Sequence, residues 1–588
     1  MGLLYHNLSL KDKAISSFRK SIEYSRNKLG TADNAVSQMT AIGYLMPNEL
    51  SKPAPNFAVV DNLYPIFKKA LTFLYQNTES DELIEQGRGV LGYFYDAYSK
   101  AANPNLNRLW EISEMSKAAR LRIQLRGDYS LQSAVTPEWI AKEKTLRAKI
   151  NDHLSRFGPG NADSTLFKLK REYDAFMREL EATYPVYYAL KSEMNIVSLT
   201  ERQQQLAHDE LLLSFFESNE HIHLLKVSQG QLSVSKTQKT EVVDWATALN
   251  EAVMESDQEV TLDLSGQIRE AFSLQSEQLR GFEYLQIIPD GPVWNLNFAA
   301  LADEQEGVIK FLGNQFRLSF RYFTEAGQKT TRRPLNSVLA FSYNDRADAN
   351  IPSTRIALRD LEASIPGTSK EVLSISKLLE GDYFYAQKAN ETIFKKQSGA
   401  YGILHLAVHG YLNEDNPEHS YLKFAAADSL NDGKLHAYEV YNLDLNAELA
   451  VLSACHSGQG KLLGGEGMMS LGRSFAYAGV KSLLISRWEV SDFSAPFLMK
   501  YFYQGLKEGM RKSEALKFAQ EKYLKHHADE ITASPFFWSS FYILGDDSPI
   551  YPKPGYSLWM LWLLIPVIGL LLFFGRVRQG RHSVTTTN

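Results

Sequence analysis

Cysteine is almost absent from this chain: 588 residues hold one, Cys455. An intrachain disulfide, a CxxC redox pair and a zinc site built on several thiolates are therefore excluded. A large excess of charge is missing too. The formal net charge is −5 and the isoelectric point about 6.3, and no basic block interleaved with aromatics offers a footprint for nucleic acid. No signal peptide begins the chain. With 44% hydrophobic and 22% charged residues, the composition is that of a globular protein. At roughly 100 to 200 residues per domain, the length allows several domains.

The apolar periodicity divides the chain. Gly2, Tyr5, Ala14 and Phe18 fall at the spacing of the tetratricopeptide pattern, whose Trp-x2-Leu portion would precede Met1. Residues 1–125 are thus expected to be tetratricopeptide-like helical repeats, entered part-way; Tyr64–Leu74 and Asp81–Ala101 read as further amphipathic helices that stack. From Pro137 the stripes Leu146, Ile150, Leu154, Phe157 and Leu166, Leu169, Tyr173, Phe176, Leu180, Tyr184 flank the breaker Gly158-Pro-Gly160. This predicts an antiparallel helical hairpin within a connector over 126–204. Beyond about residue 205, short apolar runs alternate with helical stretches such as Thr368–Leu379, Gly467–Ala478 and Ser491–Glu508. That alternation predicts an α/β domain over 205–546, with a mainly parallel sheet covered on both faces. After a Pro-rich spacer at 547–555, the uncharged run Leu558–Phe574 predicts one C-terminal transmembrane helix at 556–575 and a basic tail at 576–588.

Two apolar runs end in reactive groups. Ile403–Val408 leads into His409-Gly410, and Leu449–Ser453 leads into Ala454-Cys455. Ligands of parallel sheets bind beyond the carboxyl ends of strands, and both residues fall there. A thiol attacks as the thiolate, which a nearby imidazole generates. His409 is the candidate base and Cys455 the candidate nucleophile. Gly410 allows close backbone approach, so the backbone N–H groups of Gly410 and Cys455 are candidate oxyanion donors. Glycines 458, 460, 464, 465 and 467 leave the following loop room to accept a chain or rearrange. Taken alone, Cys455 also fits a buried structural thiol. His405 reads as a core histidine, and no metal site is expected.

These strings carry a resemblance. Ile403-Leu-His-Leu-Ala-Val-His-Gly410, Leu452-Ser-Ala-Cys-His-Ser-Gly458, Gly465-Glu-Gly-Met-Met-Ser-Leu471, Phe475-Ala-Tyr-Ala-Gly-Val480 and Ser486-Arg-Trp-Glu-Val-Ser-Asp492 resemble the CHAT domain. This is the caspase-like peptidase domain that accompanies tetratricopeptide repeats in bacteria. The likeness extends from Ile287-Ile-Pro-Asp-Gly291 to Phe536-Phe-Trp-Ser-Ser-Phe-Tyr542. It implies a caspase-hemoglobinase fold related to separase, caspases and gingipains, with His409 and Cys455 as the dyad, Gly410 at the oxyanion position, and no metal or cofactor. It also makes Asp492 and Glu466 candidate substrate-binding residues, Asp492 favouring a basic side chain before the scissile bond. Asp492 fits equally well as the N-cap of the helix that follows. Where many relatives read Leu-Pro-Phe-Glu-Ala-Leu, this chain has Leu296-Asn-Phe-Ala-Ala-Leu301, which alters the front subdomain and leaves the dyad intact.

The expected function is a membrane-anchored cysteine endopeptidase whose repeats recruit a protein substrate or a regulatory protein. The alternative is a catalytically silent scaffold for protein–protein interaction at the membrane. Arg576, Arg578 and Arg581 after the apolar run, against Lys553 before it, place the tail in the cytoplasm and the peptidase on the non-cytoplasmic side. A part-repeat at the start and no export signal are both explained if the natural protein begins further upstream. The competing topology is a tail-anchored protein with its peptidase in the cytoplasm.

Overall fold

The computed structural model describes residues 11–25, 32–52, 56–77, 81–101, 103–119, 121–122, scattered positions of 136–153, 164–184, 196–324, 337–343, 367–426, 432–454, 460–463, 467–528 and 531–552. The chain opens on helices α1 (Lys11–Ser25), α2 (Ala32–Leu50), α3 (Phe57–Asn77), α4 (Asp81–Ser99) and α5 (Leu106–Ser116). Helix α1 buries Ala14, Phe18 and Ile22, four residues apart and hence on one face. Phe18 stacks on Tyr44 of α2 with centroids 4.9 Å apart. All five helices contribute to one core. The Gly2 and Tyr5 half of the repeat pattern lies outside the described residues. Helix α6 (Ser164–Thr183) follows, and its Phe176 and Leu180 bury against Leu146.

Among the described residues eleven strands then form one sheet. In chain order the strands are β1 (Glu210–Glu217), β2 (His221–Val227), β3 (Leu232–Gln238), β4 (Tyr284–Ile288), β5 (Ala302–Gln305), β6 (Val308–Phe311), β7 (Arg317–Phe320), β8 (Val338–Ser342), β9 (Gly381–Tyr385), β10 (Ile403–Ala407), β11 (His409–Tyr411), β12 (Tyr421–Lys423), β13 (Lys434–His436), β14 (Leu449–Leu452), β15 (Gly460–Leu463), β16 (Gly467–Ser470), β17 (Ser482–Ser486) and β18 (Phe541–Gly545). The large sheet runs β3-β2-β1-β4-β7-β18-β17-β14-β10-β8-β9. Strands β1, β4 and β7 pair in parallel, as do β17, β14, β10, β8 and β9. Strand β18 joins the two halves, antiparallel to β17 and parallel to β7 at Leu544↔Phe320. Strands β4, β8, β10, β14 and β17 are buried along their whole length. Their uninterrupted apolar runs follow from cover on both faces.

Helices supply that cover. Helices α7 (Lys239–Glu255) and α8 (Gln258–Ala271) pack on the front half. On the other half, α9 (Gly367–Ser376), α10 (Ala495–Lys507) and α11 (Lys512–His526) share a core with β8, β10, β14 and β17. Smaller sheets branch off the large one: β11-β12-β13, β15-β16 and β5-β6. Beyond β18 the chain stays on the domain, with Asp547 accepting from the backbone N–H and the hydroxyl of Ser513, and with Ile550 buried.

Two expectations change. Gly467–Ser470 is not helical but forms β16, because it pairs antiparallel with Gly460–Leu463; the helix spans only Leu471–Tyr477. The C-terminal membrane span and the single-pass localisation built on it are not supported. Among the described residues no helix is long and apolar enough to cross a membrane. The longest, α3, carries Asp61, Lys68 and Lys69, which give it one polar face and the role of a packed repeat helix. Residues 556–575 lie outside the described residues.

Candidate active site

Strands β10 and β14 are neighbours, parallel and in register from Ile403↔Leu449 to Leu406↔Leu452. His409 and Cys455 each stand three residues beyond the last pair, Leu406 and Leu452. The matched apolar runs thus bring His409 and Ala454, the residue before Cys455 in sequence, to one end of the sheet. Cys455 itself, with His456 and Glu466, lies outside the described residues.

His409 opens β11, opposite Lys423, while Gly410 stands opposite Leu422. Both are half-buried. Alternation on the small sheet puts Leu422 and Leu435 into the core, and Tyr411 onto the other face, stacked on Tyr421 at 4.7 Å. The last residues described before Cys455 are held from two sides. Ser453 Oγ donates to Glu371 Oε2 at 3.0 Å, and the Ala454 carbonyl accepts from Ser486 Oγ at 2.8 Å.

His405 is the core histidine expected. It is fully buried, with Nδ1 3.0 Å from the Tyr503 hydroxyl and Nε2 3.1 Å from Glu371 Oε1. The latter is a close contact without hydrogen-bond geometry. Burial pushes the Tyr503 hydroxyl well above the usual tyrosine range, and the Glu371 carboxylate adds to this. Tyr503 therefore stays protonated.

Asp492 is exposed, on a turn closed by Ser494 N–H to Ser491 O at 3.1 Å. It is not the N-cap: α10 begins at Ala495, with Ser494 at the cap position. Its side chain lies over Gly367, where an added Cβ would come within 2.7 Å of it. The rest of that string packs inward. Arg487 Nη1 donates to the Trp294 carbonyl at 3.0 Å, and Trp488 Nε1 donates to the Phe536 carbonyl at 3.1 Å. The glycine-rich segment after Cys455 includes the β15-β16 hairpin, which packs against the tight turn Gly291–Asn295.

Glu371, Ser453, Tyr503 and Ser486 did not stand out in the sequence. A glutamate in an amphipathic helix normally reads as a solvated residue. A second group was also missed: Asp96 of α4 with His221 and His223 of β2, whose ligand-capable atoms lie within 4.8 Å of one another. The i, i+2 spacing of two histidines in a strand was its visible half.

Comparison with known proteins places this architecture. The CHAT domain family matches residues 244–546, more than half of the chain. Tetratricopeptide repeat protein 28 of Mus musculus is 28% identical over 117 residues, and that of Homo sapiens 28% over 113 residues; each match covers 19% of this chain. The chain spans only 4% of the length of these curated relatives. Two crystal structures of the Saccharomyces cerevisiae separase–securin complex align with 90% and 91% of this chain and 48% of theirs. They are 9% and 10% identical, with TM-scores of 0.37 and 0.36. On the strength of the family match, the chain belongs to the CHAT domain family.

Proposed function

We propose that this protein is a cysteine-type endopeptidase acting on a protein or peptide substrate through His409 and Cys455. The observation that supports this is the register of β10 and β14: His409 and Cys455 follow the last pair, Leu406 and Leu452, by the same three residues in sequence. In this reading the His409 imidazole takes the thiol proton, and the Cys455 sulfur attacks the scissile carbonyl. The oxygen that becomes negative is met by the backbone N–H groups of Gly410 and Cys455. His409 then returns the proton to the leaving amine, and water hydrolyses the thioester. Asp492, exposed on its turn, and Glu466 are the acidic groups that would favour a basic substrate side chain. The helical repeats supply a surface for recruiting a substrate or a regulatory protein.

An irreversible thiol-directed peptidyl probe tests the reading. Labelling of the wild type should vanish in Cys455→Ala and slow by roughly 10²-fold or more in His409→Ala, the usual worth of a general base. Absence of wild-type labelling under every activating condition, or equal labelling of Cys455→Ala, would favour the silent scaffold.

A further inference from the structure

The core between α9 and the sheet contains a polar chain that apolar packing does not require. Glu371 is 2% exposed, His405 0% and Ser453 7%. One carboxylate reaches both neighbouring strands: Oε2 accepts from Ser453 beyond β14, and Oε1 contacts His405 in β10, which Tyr503 of α10 holds from behind. Two residues earlier in α9, Ser369 Oγ lies 2.9 Å from Ser342 Oγ at the end of β8. The start of α9 is thus tied to three adjacent strands. Taking a carboxylate out of water costs on the order of several kcal/mol, and a well-packed apolar side chain would avoid that cost. The cost falls at a particular place, two residues before Cys455 and four before His409.

We infer that Glu371, Ser453 and His405 are positioning residues that set the direction in which the chain leaves β14 and so hold Cys455 against His409; this rests on the peptidase reading above. Hydrophobic burial is non-directional and leaves a strand end free to rotate. A hydroxyl-to-carboxylate hydrogen bond fixes that rotation. Misplacement by about 1 Å is enough to cost on the order of 10²-fold in a reaction that needs aligned groups. None of the three touches substrate. They act through the geometry of the dyad.

Cys455 is the only thiol in the chain, so iodoacetamide alkylation of the full-length protein reports on it without a known substrate. The ratio of the alkylation rate at pH 7 to that at pH 10 measures how far its neighbours favour the thiolate. His409→Ala is the reference for the dyad. Glu371→Gln keeps the size and removes the charge, and Ser453→Ala removes the hydroxyl. Each should lower the ratio by about tenfold, equivalent to one pKa unit. Thermal melting of the same samples reports on folding. A lowered melting temperature with an unchanged ratio in both variants, while His409→Ala lowers it, marks a merely structural role and overturns the inference. An unchanged ratio in His409→Ala overturns the dyad itself. Should Glu371→Gln fail to fold, Ser453→Ala and Tyr503→Phe decide the question, an unchanged ratio in both counting against the inference.

Discussion

A histidine buried beside a carboxylate is pulled two ways. His223 is 1% exposed, and burial pushes its pKa below the usual imidazole range; Asp96, at 3.2 Å, pulls upward and is outweighed. His221 and Lys236 add to the downward push. The folded state therefore favours the neutral ring. Its contribution is fully present above the unfolded pKa of about 6.5 and is lost as pH falls through the lower folded value. Acidification from about pH 6.5 towards the folded value should therefore lower the stability by at most about 1.4 kcal/mol per pH unit. Thermal melting from pH 7 to pH 5 should show the loss, and His223→Gln should flatten it; an unchanged slope would remove His223 as its source. The same scale shows what was legible in the site. Cys455 and His409 stand out because each follows an apolar run. Glu371 does not, because in sequence it sits in a helix among Lys370, Ser369 and Ser374, and only the packing of α9 turns it inward.

The three-stranded sheet β11-β12-β13 carries His409 and Gly410, and one glycine closes it. Gly433 has φ +82°, and an added Cβ would lie 2.4 Å from the Phe424 carbonyl oxygen. Its N–H donates to Glu391 Oε2 at 3.0 Å, and its carbonyl accepts from Phe424 N–H at 2.7 Å. Burial pushes the Glu391 carboxyl above its ordinary value, although Lys395 opposes this. Gly433→Ala should cost about 1–3 kcal/mol through backbone strain alone. The expected result is a lower denaturation midpoint with slower probe labelling of Cys455, since the strand that loosens pairs with the one next to His409. Labelling at the wild-type rate would show that β11 is held without this turn. The buried strands of the large sheet were legible as apolar runs of several residues. Strands β11, β12 and β13 have three residues each, too few for a period of two to emerge, and β15-β16 is hidden by its glycines.

At the scale of the molecule, the helical repeats and the α/β domain are separately visible in the sequence, but their contact is not. Arg88 of α4 meets partners 129 and 202 residues away. Its Nη1 donates to Glu217 Oε2 at 2.8 Å and its Nη2 to Asp290 Oδ2 at 2.7 Å, all three side chains being largely buried. Burial pushes the Asp290 carboxyl up despite Arg88, whereas for Glu217 burial is overcome by Arg88 and Lys239 together. Apolar contact reinforces the junction, with Phe216 of β1 stacked on Tyr95 of α4 at 4.3 Å. Asp290 leads into Gly291, whose φ of +54° lets the chain turn where a Cβ would come within 2.6 Å of the Glu217 carboxylate. The turn Gly291–Asn295 then meets the β15-β16 hairpin. Arg88→Ala leaves the Asp290 carboxylate buried without its ion-pair partner, while Glu217 keeps Lys239, and should destabilise the protein by about 3–5 kcal/mol. Arg88→Lys should recover little, because one ammonium cannot reproduce the fork that spans both partners. Adding Asp290→Asn to Arg88→Ala removes one stranded charge and should restore part of the loss in chemical denaturation. Strict additivity of the two substitutions would mean that the pair is not coupled.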